Sequence, residues 1–333
     1  MRVLAAAFAA ALLGVLAASP RAALAQQARW QMASAYPEGN FHTQNIRRFL
    51  QEAERATDGR LAVQLHANAS LLPMPQIKRA VQSGQVQMGE VLLGAYGNED
   101  PFFEVDTVPF LAETWPRAIA LDQASEPFVR ARLERQGVVL LYTVHWPSQA
   151  FYTRTELNRL EDLRGTRFRA QTTPLTRMSE LMGATPVVVQ QADVPQAFAT
   201  GIINAMLTSA QTGVDTAAWD FSRHFTDVGG MLSRNAIVVN ARAFNTLGEA
   251  DRAAVREAAA RAAARGREMS QSAERAMVER LRSQGMVVRD PSPELMAQLR
   301  DVGEKLTEAW ATRAGPDGRQ MLERFRALAA AAR

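Results

Sequence analysis

The first third of the chain alternates short apolar runs with amphipathic stretches. Residues 29–35 and 61–66 alternate apolar and polar side chains and predict two strands, and the apolar run 87–93 predicts a third. Between them, residues 40–57 and 74–83 carry apolar positions at helical spacing, which predicts two amphipathic helices. A strand-helix-strand-helix-strand order predicts a parallel sheet with helices packed on its faces.

The middle of the chain repeats this pattern and so predicts a second unit of the same kind. Its predicted elements are a strand at 166–169, a helix at 176–182, a strand at 186–189, a helix at 194–200 and a strand at 202–207. The apolar run 138–144 leads out of the first unit, and residues 236–240 are apolar enough to return to its sheet. Two α/β units joined by more than one crossing form a hinge.

Residues 249–284 consist mainly of Ala, Arg, Glu and Met and predict one long helix. At 1.5 Å per residue, such a helix would extend about 54 Å, which is longer than one small domain. A coiled-coil dimer segment is the alternative, although the apolar positions are mostly Ala and not a Leu/Ile heptad. Two final helices are predicted at 294–312 and 318–332, after Pro291 and Pro293.

The first 25 residues have the features of a secretory signal peptide. Arg2 precedes an apolar run over residues 3–18, and the small residues at 23–25 predict cleavage before Gln26. The run would span roughly 24 Å, less than the ~30 Å hydrocarbon core of a bilayer, so an uncleaved anchor is the weaker alternative. We therefore expect a periplasmic chain that does not insert into the membrane after cleavage.

Composition excludes several classes of function. The chain has no cysteine, which rules out disulfides and thiolate metal sites. Its 38 basic and 34 acidic residues leave a net charge of +4, and no basic run is interleaved with aromatics, so nucleic acid is not an expected partner. The four histidines have no metal-ligand spacing, and no nucleotide-binding or nucleophile motif is present. We expect neither a metal nor a cofactor, and no enzymatic activity.

Arg169 is the residue whose chemistry most clearly suits ligand binding. It ends the predicted strand 166–169, and the ends of strands in α/β units face ligand crevices. A guanidinium can hold a carboxylate through two parallel, charge-assisted hydrogen bonds. A solvated surface arginine is the alternative from the residues alone.

The surroundings of Arg169 resemble a known family. The segment 163–169 (Leu-Arg-Gly-Thr-Arg-Phe-Arg) is followed by Gly-Ala-Thr-Pro at 183–186 and by a helix that ends near Asn204-Ala205. Together with Ser-Ala-Tyr-Pro at 34–37, this order resembles the substrate-binding proteins of tripartite ATP-independent periplasmic (TRAP) transporters, of the C4-dicarboxylate-binding type. The resemblance runs from about Trp30 to the C-terminus.

The resemblance implies an α/β fold of the two-lobed periplasmic binding protein type. Each lobe would be a mixed sheet flanked by helices, and a long helix would cross both lobes. Lobe I would comprise residues 26–146 plus 235–273, and lobe II residues 147–234 plus 274–333. The ligand-binding residues carried over by alignment, or placed near the cleft by their position, are Tyr36, Asn40, Phe41, Leu93, Trp146, Gln149, Arg169, Thr172, Thr208, Ser209 and Trp219.

Two departures from better-known members bear on the ligand. Gln149 aligns where many members carry a second arginine, and Asn204-Ala205 replaces the usual Asp-Gly pair. The substrates of those members are therefore not transferred to this chain. With Arg169 as the one expected cation, a monocarboxylate is favoured over a dicarboxylate, because a second carboxylate would be buried without a charged partner.

The expected function is that of a periplasmic solute-binding protein. It would capture a small organic acid as a monomer and deliver it to the small and large membrane subunits of a TRAP permease. Two alternatives stay open: a secreted α/β enzyme acting on a carboxylic acid, and a binding protein of another transporter or sensor class.

Overall fold

The computed structural model describes residues 27–331, so the predicted signal peptide lies outside the described residues. Within that range the chain forms two sheets with helices around them. The strands are β1 (Ala28–Ala33), β2 (Leu61–His66), β3 (Met88–Leu92), β4 (Val138–His145), β5 (Gln149–Thr153), β6 (Arg167–Arg169), β7 (Thr185–Val187), β8 (Ala205–Ser209), β9 (His224–Thr226), β10 (Arg234–Asn240) and β11 (Val287–Arg289). The α-helices are α1 (Phe41–Ala56), α2 (Met74–Ser83), α3 (Trp115–Arg135), α4 (Thr173–Leu181), α5 (Val194–Ala199), α6 (Ala210–Asp215), α7 (Ala241–Thr246), α8 (Glu249–Ser283) and α9 (Pro293–Ala331).

The first sheet has the strand order β2-β1-β3-β10-β4. Strand β1 pairs in parallel with β2 and β3, which confirms the predicted strand-helix-strand unit. Strand β10 pairs antiparallel with both β3 and β4, so the chain does return to this sheet after forming the second one. All seven residues of β10 are buried, as expected for a strand inside a sheet covered on both faces.

The second sheet has the order β11-β9-β5-β8-β6-β7 and is also mixed. Strand β6 pairs in parallel with β7 and β8, whereas β5 pairs antiparallel with β8 and β9. The predicted fold class, two mixed sheets flanked by helices, is therefore confirmed. Strand β5 was not predicted because its residues, Gln-Ala-Phe-Tyr-Thr, are buried on both faces and lack the alternation of a half-buried strand.

The long helix α8 confirms the prediction for residues 249–284 and contacts elements of both sheets. It packs on α1 and β4 of the first sheet and on α6 of the second. The approach is close at Gly266, where a Cβ atom would lie 2.4 Å from a methyl of Val144 and 2.7 Å from the amide nitrogen of Asn45. The small residues of α8 thus permit its tight packing against the first sheet and α1.

The C-terminal helix α9 kinks at Gly315, whose φ of 67° interrupts the helical backbone. Residues 293–331 therefore contain two helices that meet at Gly315, as predicted. No helix in the part of the chain that the structure describes is long and apolar enough to span a membrane.

Candidate functional site

A cavity of about 200 Å³ lies between the two sheets. The first sheet and its connections contribute one wall, lined by Ala35, Tyr36, Ala69, Pro73, Met74, Leu92, Ala95, Trp146 and Ser233. The second sheet contributes the other, lined by Gln149, Arg169, Gln171, Gln190, Gln191, Ala192, Asp193, Thr208, Ser209 and Thr212. The first wall is largely apolar and aromatic, and the second is polar.

Arg169 is buried in the polar wall, at the end of β6. Its Nε donates to the carbonyl oxygen of Val189 at 2.9 Å, which is the one side-chain hydrogen bond it forms within residues 27–331. No carboxylate in that range lies within ion-pair distance of it. Burial lowers the pKa of Arg169 to about 10, so the guanidinium remains charged at neutral pH. A buried cation without a counter-ion is a strong attractor for an anionic ligand.

The neighbours of Arg169 on the polar wall offer neutral hydrogen-bonding groups. Gln149 donates from Nε2 to the carbonyl oxygen of Pro147 at 3.0 Å, which leaves its Oε1 as an acceptor. Thr208 and Ser209 end β8, and Ser209 caps α6 by accepting from the backbone nitrogen of Thr212 at 3.2 Å. This wall can therefore hold one carboxylate by charge and further polar groups by neutral hydrogen bonds.

Aromatic rings form much of the opposite wall. Tyr36 and Trp146 pack at a centroid distance of 4.9 Å, and both line the cavity. Phe41 and His42 lie against Trp146, with ring centroids 5.9 Å and 4.4 Å from it. Burial keeps the pKa of His42 well below its usual value, so this histidine is neutral. The cluster packs around the indole of Trp146.

A buried polar network lies behind this aromatic wall. Glu90 Oε2 accepts from Ser34 Oγ at 2.5 Å, and its Oε1 accepts from Asn235 Nδ2 at 2.7 Å. Asn235 Oδ1 in turn accepts from Trp146 Nε1 at 2.9 Å and from the Tyr36 hydroxyl at 3.3 Å. Burial raises the pKa of Glu90 to about 7, although both hydrogen bonds oppose the shift. The sequence signal that could have found this network is a lone acid inside the apolar strand β3.

A side-chain hydrogen bond between Asn40 and Asp215 links the start of α1, beside the first sheet, to the end of α6, beside the second. Asn40 caps α1 by accepting from the backbone nitrogen of His42, and its Nδ2 donates to Asp215 Oδ2 at 2.7 Å. Asp215 ends α6 and also accepts from Gln211 at 2.7 Å and Gln191 at 3.2 Å. Burial raises the pKa of Asp215, and these three donors counter the shift.

The structure brings six of the predicted site residues to the cavity: Tyr36, Trp146, Gln149, Arg169, Thr208 and Ser209. The remaining five lie elsewhere. Asn40 makes the bond to Asp215, and Phe41 backs Trp146. Leu93 is buried in the core, and its neighbour Leu92 lines the cavity instead.

Thr172 and Trp219 are the other two that do not line the cavity. Thr172 precedes α4, and its buried hydroxyl has no hydrogen-bond partner within residues 27–331. Trp219 lines a separate surface depression together with Arg154 and Phe221. Sequence reasoning missed the lining segment 190–193, because a polar turn after a short strand has no signal of its own.

Residues 32–313 match the model of the bacterial extracellular solute-binding protein family 7, also called DctP. This chain belongs to that family. Its fold is similar to that of DctP7 of Bordetella pertussis, an extracytoplasmic solute receptor binding pyroglutamic acid (42% identity, TM-score 0.88, 90% of this chain and 99% of the other). The DctP6 receptor of the same organism, which also binds pyroglutamic acid, is 38% identical with a TM-score of 0.88 and the same coverage.

A TRAP solute-binding protein from a marine metagenome, specific for pyroglutamate, is 32% identical over 91% of this chain and 99% of its own, with a TM-score of 0.89. The resemblance to TRAP substrate-binding proteins is therefore confirmed. As a DctP-family protein, the chain is a solute receptor of a TRAP transporter and not an enzyme, which agrees with the expected function.

Proposed function

We propose that this receptor binds pyroglutamate, or a small cyclic monocarboxylate very similar to it, and delivers it to a TRAP permease. The observation that carries the proposal is Arg169, a buried cation at the cavity with no carboxylate partner among the described residues. Two of the Bordetella receptors and the marine receptor, at 32–42% identity, bind this acid. A ligand carboxylate would supply the missing counter-charge.

The charge of the cavity favours one carboxylate over two. Arg169 is the only cation among the described residues that line it, Gln149 and Thr208 are neutral, and Asp193 is acidic. A second carboxylate buried against neutral groups would cost several kcal/mol if it were left unpaired. The Oε1 of Gln149 is an acceptor, which suits a ligand N–H such as that of a lactam.

The size and surface of the cavity favour a compact ligand with an apolar body. The volume of about 200 Å³ is small for a binding site, and the rings of Tyr36 and Trp146 with Met74 and Leu92 provide an apolar surface opposite Arg169. A five-membered ring would pack on this wall while its carboxylate contacts the guanidinium.

The affinity expected from this arrangement is in the micromolar range. A hydrogen bond to a charged group contributes about 1.5–3 kcal/mol net. Two such bonds from Arg169 would supply a large part of the roughly 8 kcal/mol that corresponds to a micromolar dissociation constant. Burial of the ligand's ring against Tyr36 and Trp146 would supply the rest.

We further infer that the receptor is a periplasmic monomer that closes on its ligand. The moving units would be lobe I (residues 26–146 plus 235–273) and lobe II (residues 147–234 plus 274–333), hinged where the chain crosses between the sheets. The cavity lies between the two sheets, so closure would remove the ligand from water and create a composite surface for the permease.

Calorimetry with pyroglutamate tests the proposal. Arg169→Ala should weaken binding at least about tenfold, because the ligand carboxylate loses a charged partner. Arg169→Lys should restore little, since a point charge does not reproduce the two-pronged contact. Arg167→Ala is the matched control, because Arg167 lies on the same strand with its side chain exposed. Wild-type affinity in Arg169→Ala, or no binding of any monocarboxylate by the wild type, would contradict the proposal.

A further inference from the structure

We propose that Glu90 and Asn235 are positioning residues that set ligand specificity, because they hold the ring donors of Tyr36 and Trp146 away from the ligand. The inference rests on the proposed function and explains how the first-sheet wall rejects a second carboxylate. Neither residue lines the cavity, so both act through the two rings that do.

The direction of each hydrogen bond follows from the chemistry of the groups. The indole N–H of Trp146 can only donate, so the atom of Asn235 that faces it at 2.9 Å must be the amide oxygen. The other end of that amide is then a donor, and it faces Glu90 Oε1 at 2.7 Å. Glu90 therefore fixes the orientation of Asn235, and Asn235 captures the donors of both rings.

This orientation does not depend on the charge of Glu90. A proton on Glu90 would lie on Oε2, where it can be donated to Ser34 Oγ at 2.5 Å, while Oε1 continues to accept from Asn235. His42 Nδ1 lies 3.7 Å from Glu90 Oε1, beyond hydrogen-bond distance. Asn235 thus keeps its oxygen toward the rings in both protonation states.

The consequence is a wall that lacks donors where a ligand would meet it. With the Tyr36 hydroxyl and the Trp146 N–H engaged, Ser233 carries the remaining side-chain donor among the described residues of the first-sheet wall. A carboxylate that contacts this wall would lose its hydrating water and gain few hydrogen bonds in return. An apolar ring loses nothing there, so the wall selects for a ligand with a single charged end.

The test compares two acids with the same five-carbon chain, pyroglutamate and glutarate, on the full-length mature receptor. The measured quantity is the ratio of the glutarate to the pyroglutamate dissociation constant, obtained by calorimetry. Asn235→Leu removes the acceptor and frees both ring donors, so this ratio should fall by about tenfold or more, the value of one hydrogen bond to a charged carboxylate. Adding Tyr36→Phe to Asn235→Leu removes one freed donor and should reverse part of the change.

Substitutions at Glu90 test the same ratio of dissociation constants without requiring the Asn235→Leu variant to fold. Glu90→Leu releases the amide of Asn235 and should lower the ratio, whereas Glu90→Gln keeps an acceptor at Oε1 and should retain more of the discrimination. Glu52→Gln is the matched control, a loss of one lobe I carboxylate whose ion-pair partners are Arg48, Arg261 and Arg265.

Failure of the positioning role and failure of the proposed function would give different results. Unchanged ratios in both Asn235→Leu and Glu90→Leu, with pyroglutamate still bound, would overturn the positioning role alone. Failure of the wild type to bind pyroglutamate or any other monocarboxylate would overturn the proposed function and, with it, this inference. A fall in the ratio that Tyr36→Phe partly reverses would support it.

Discussion

The hydrogen bond between Asn40 and Asp215 should stabilise the closed form of the receptor. Asn40 caps the start of α1 beside the first sheet, and Asp215 ends α6 beside the second. We therefore expect the 2.7 Å contact to break when the two halves separate. Replacing Asn40 by Ser keeps a residue that caps a helix well but is too short to reach Asp215. The variant therefore removes the bond between the halves and spares α1.

The loss of closed-form stability in Asn40→Ser follows from the charge of the acceptor, Asp215. A hydrogen bond to a charged group contributes about 1.5–3 kcal/mol net. Asp215 keeps its bonds to Gln191 and Gln211, so the loss should fall at the lower end, about 1.5 kcal/mol. If the free receptor is mainly open, that loss lowers the closed population and weakens pyroglutamate binding about tenfold.

Stopped-flow kinetics and calorimetry together check this expectation. Because the bond forms on closure, Asn40→Ser should raise the dissociation rate constant more than it lowers the association rate constant. Asn40→Asp should weaken binding further, since a second carboxylate would face Asp215 while the helix cap is retained. Wild-type dissociation rates in Asn40→Ser, with an unchanged melting temperature of the free protein, would refute the reasoning.

Three further predictions follow from the site. Gln149→Arg adds a cation at the polar wall and should raise the affinity for succinate or glutarate relative to pyroglutamate, as a thermal-shift series would measure; an unchanged ranking would mean that residue 149 does not meet the ligand. Burial raises the pKa of Glu90 to about 7, so the folded protein holds this proton more tightly than the unfolded chain does. The stability that this proton contributes should be complete below pH 4.5 and lost as the pH rises to about 7, a loss of roughly 3 kcal/mol. Urea titrations should show this pH dependence in the wild type and not in Glu90→Gln. Small-angle scattering should show a smaller radius of gyration with saturating pyroglutamate, and an identical profile would indicate a rigid, already closed cleft.

Local sequence patterns determined much of the architecture. Alternation over β1 and β2, helical spacing in α1 and the run of good helix formers in α8 each depend on residues close together in the chain. The local pattern also placed Arg169 at a strand end, although only the resemblance of the surrounding segments to a known family distinguished it from a solvated surface arginine. These features are visible because hydrophobic periodicity and strand ends are properties of a few consecutive residues.

The polar contacts of the site were decided only by the tertiary structure. Asn40 and Asp215 are 175 residues apart, and Glu90 and Asn235 are 145 apart, so no local pattern predicts either pair. A buried carboxylate or amide must find partners wherever packing brings them, and that depends on the arrangement of both sheets. The sequence could therefore single out Arg169 as the candidate ligand-binding cation, whereas the fold alone decided which buried polar groups lie behind the wall opposite it.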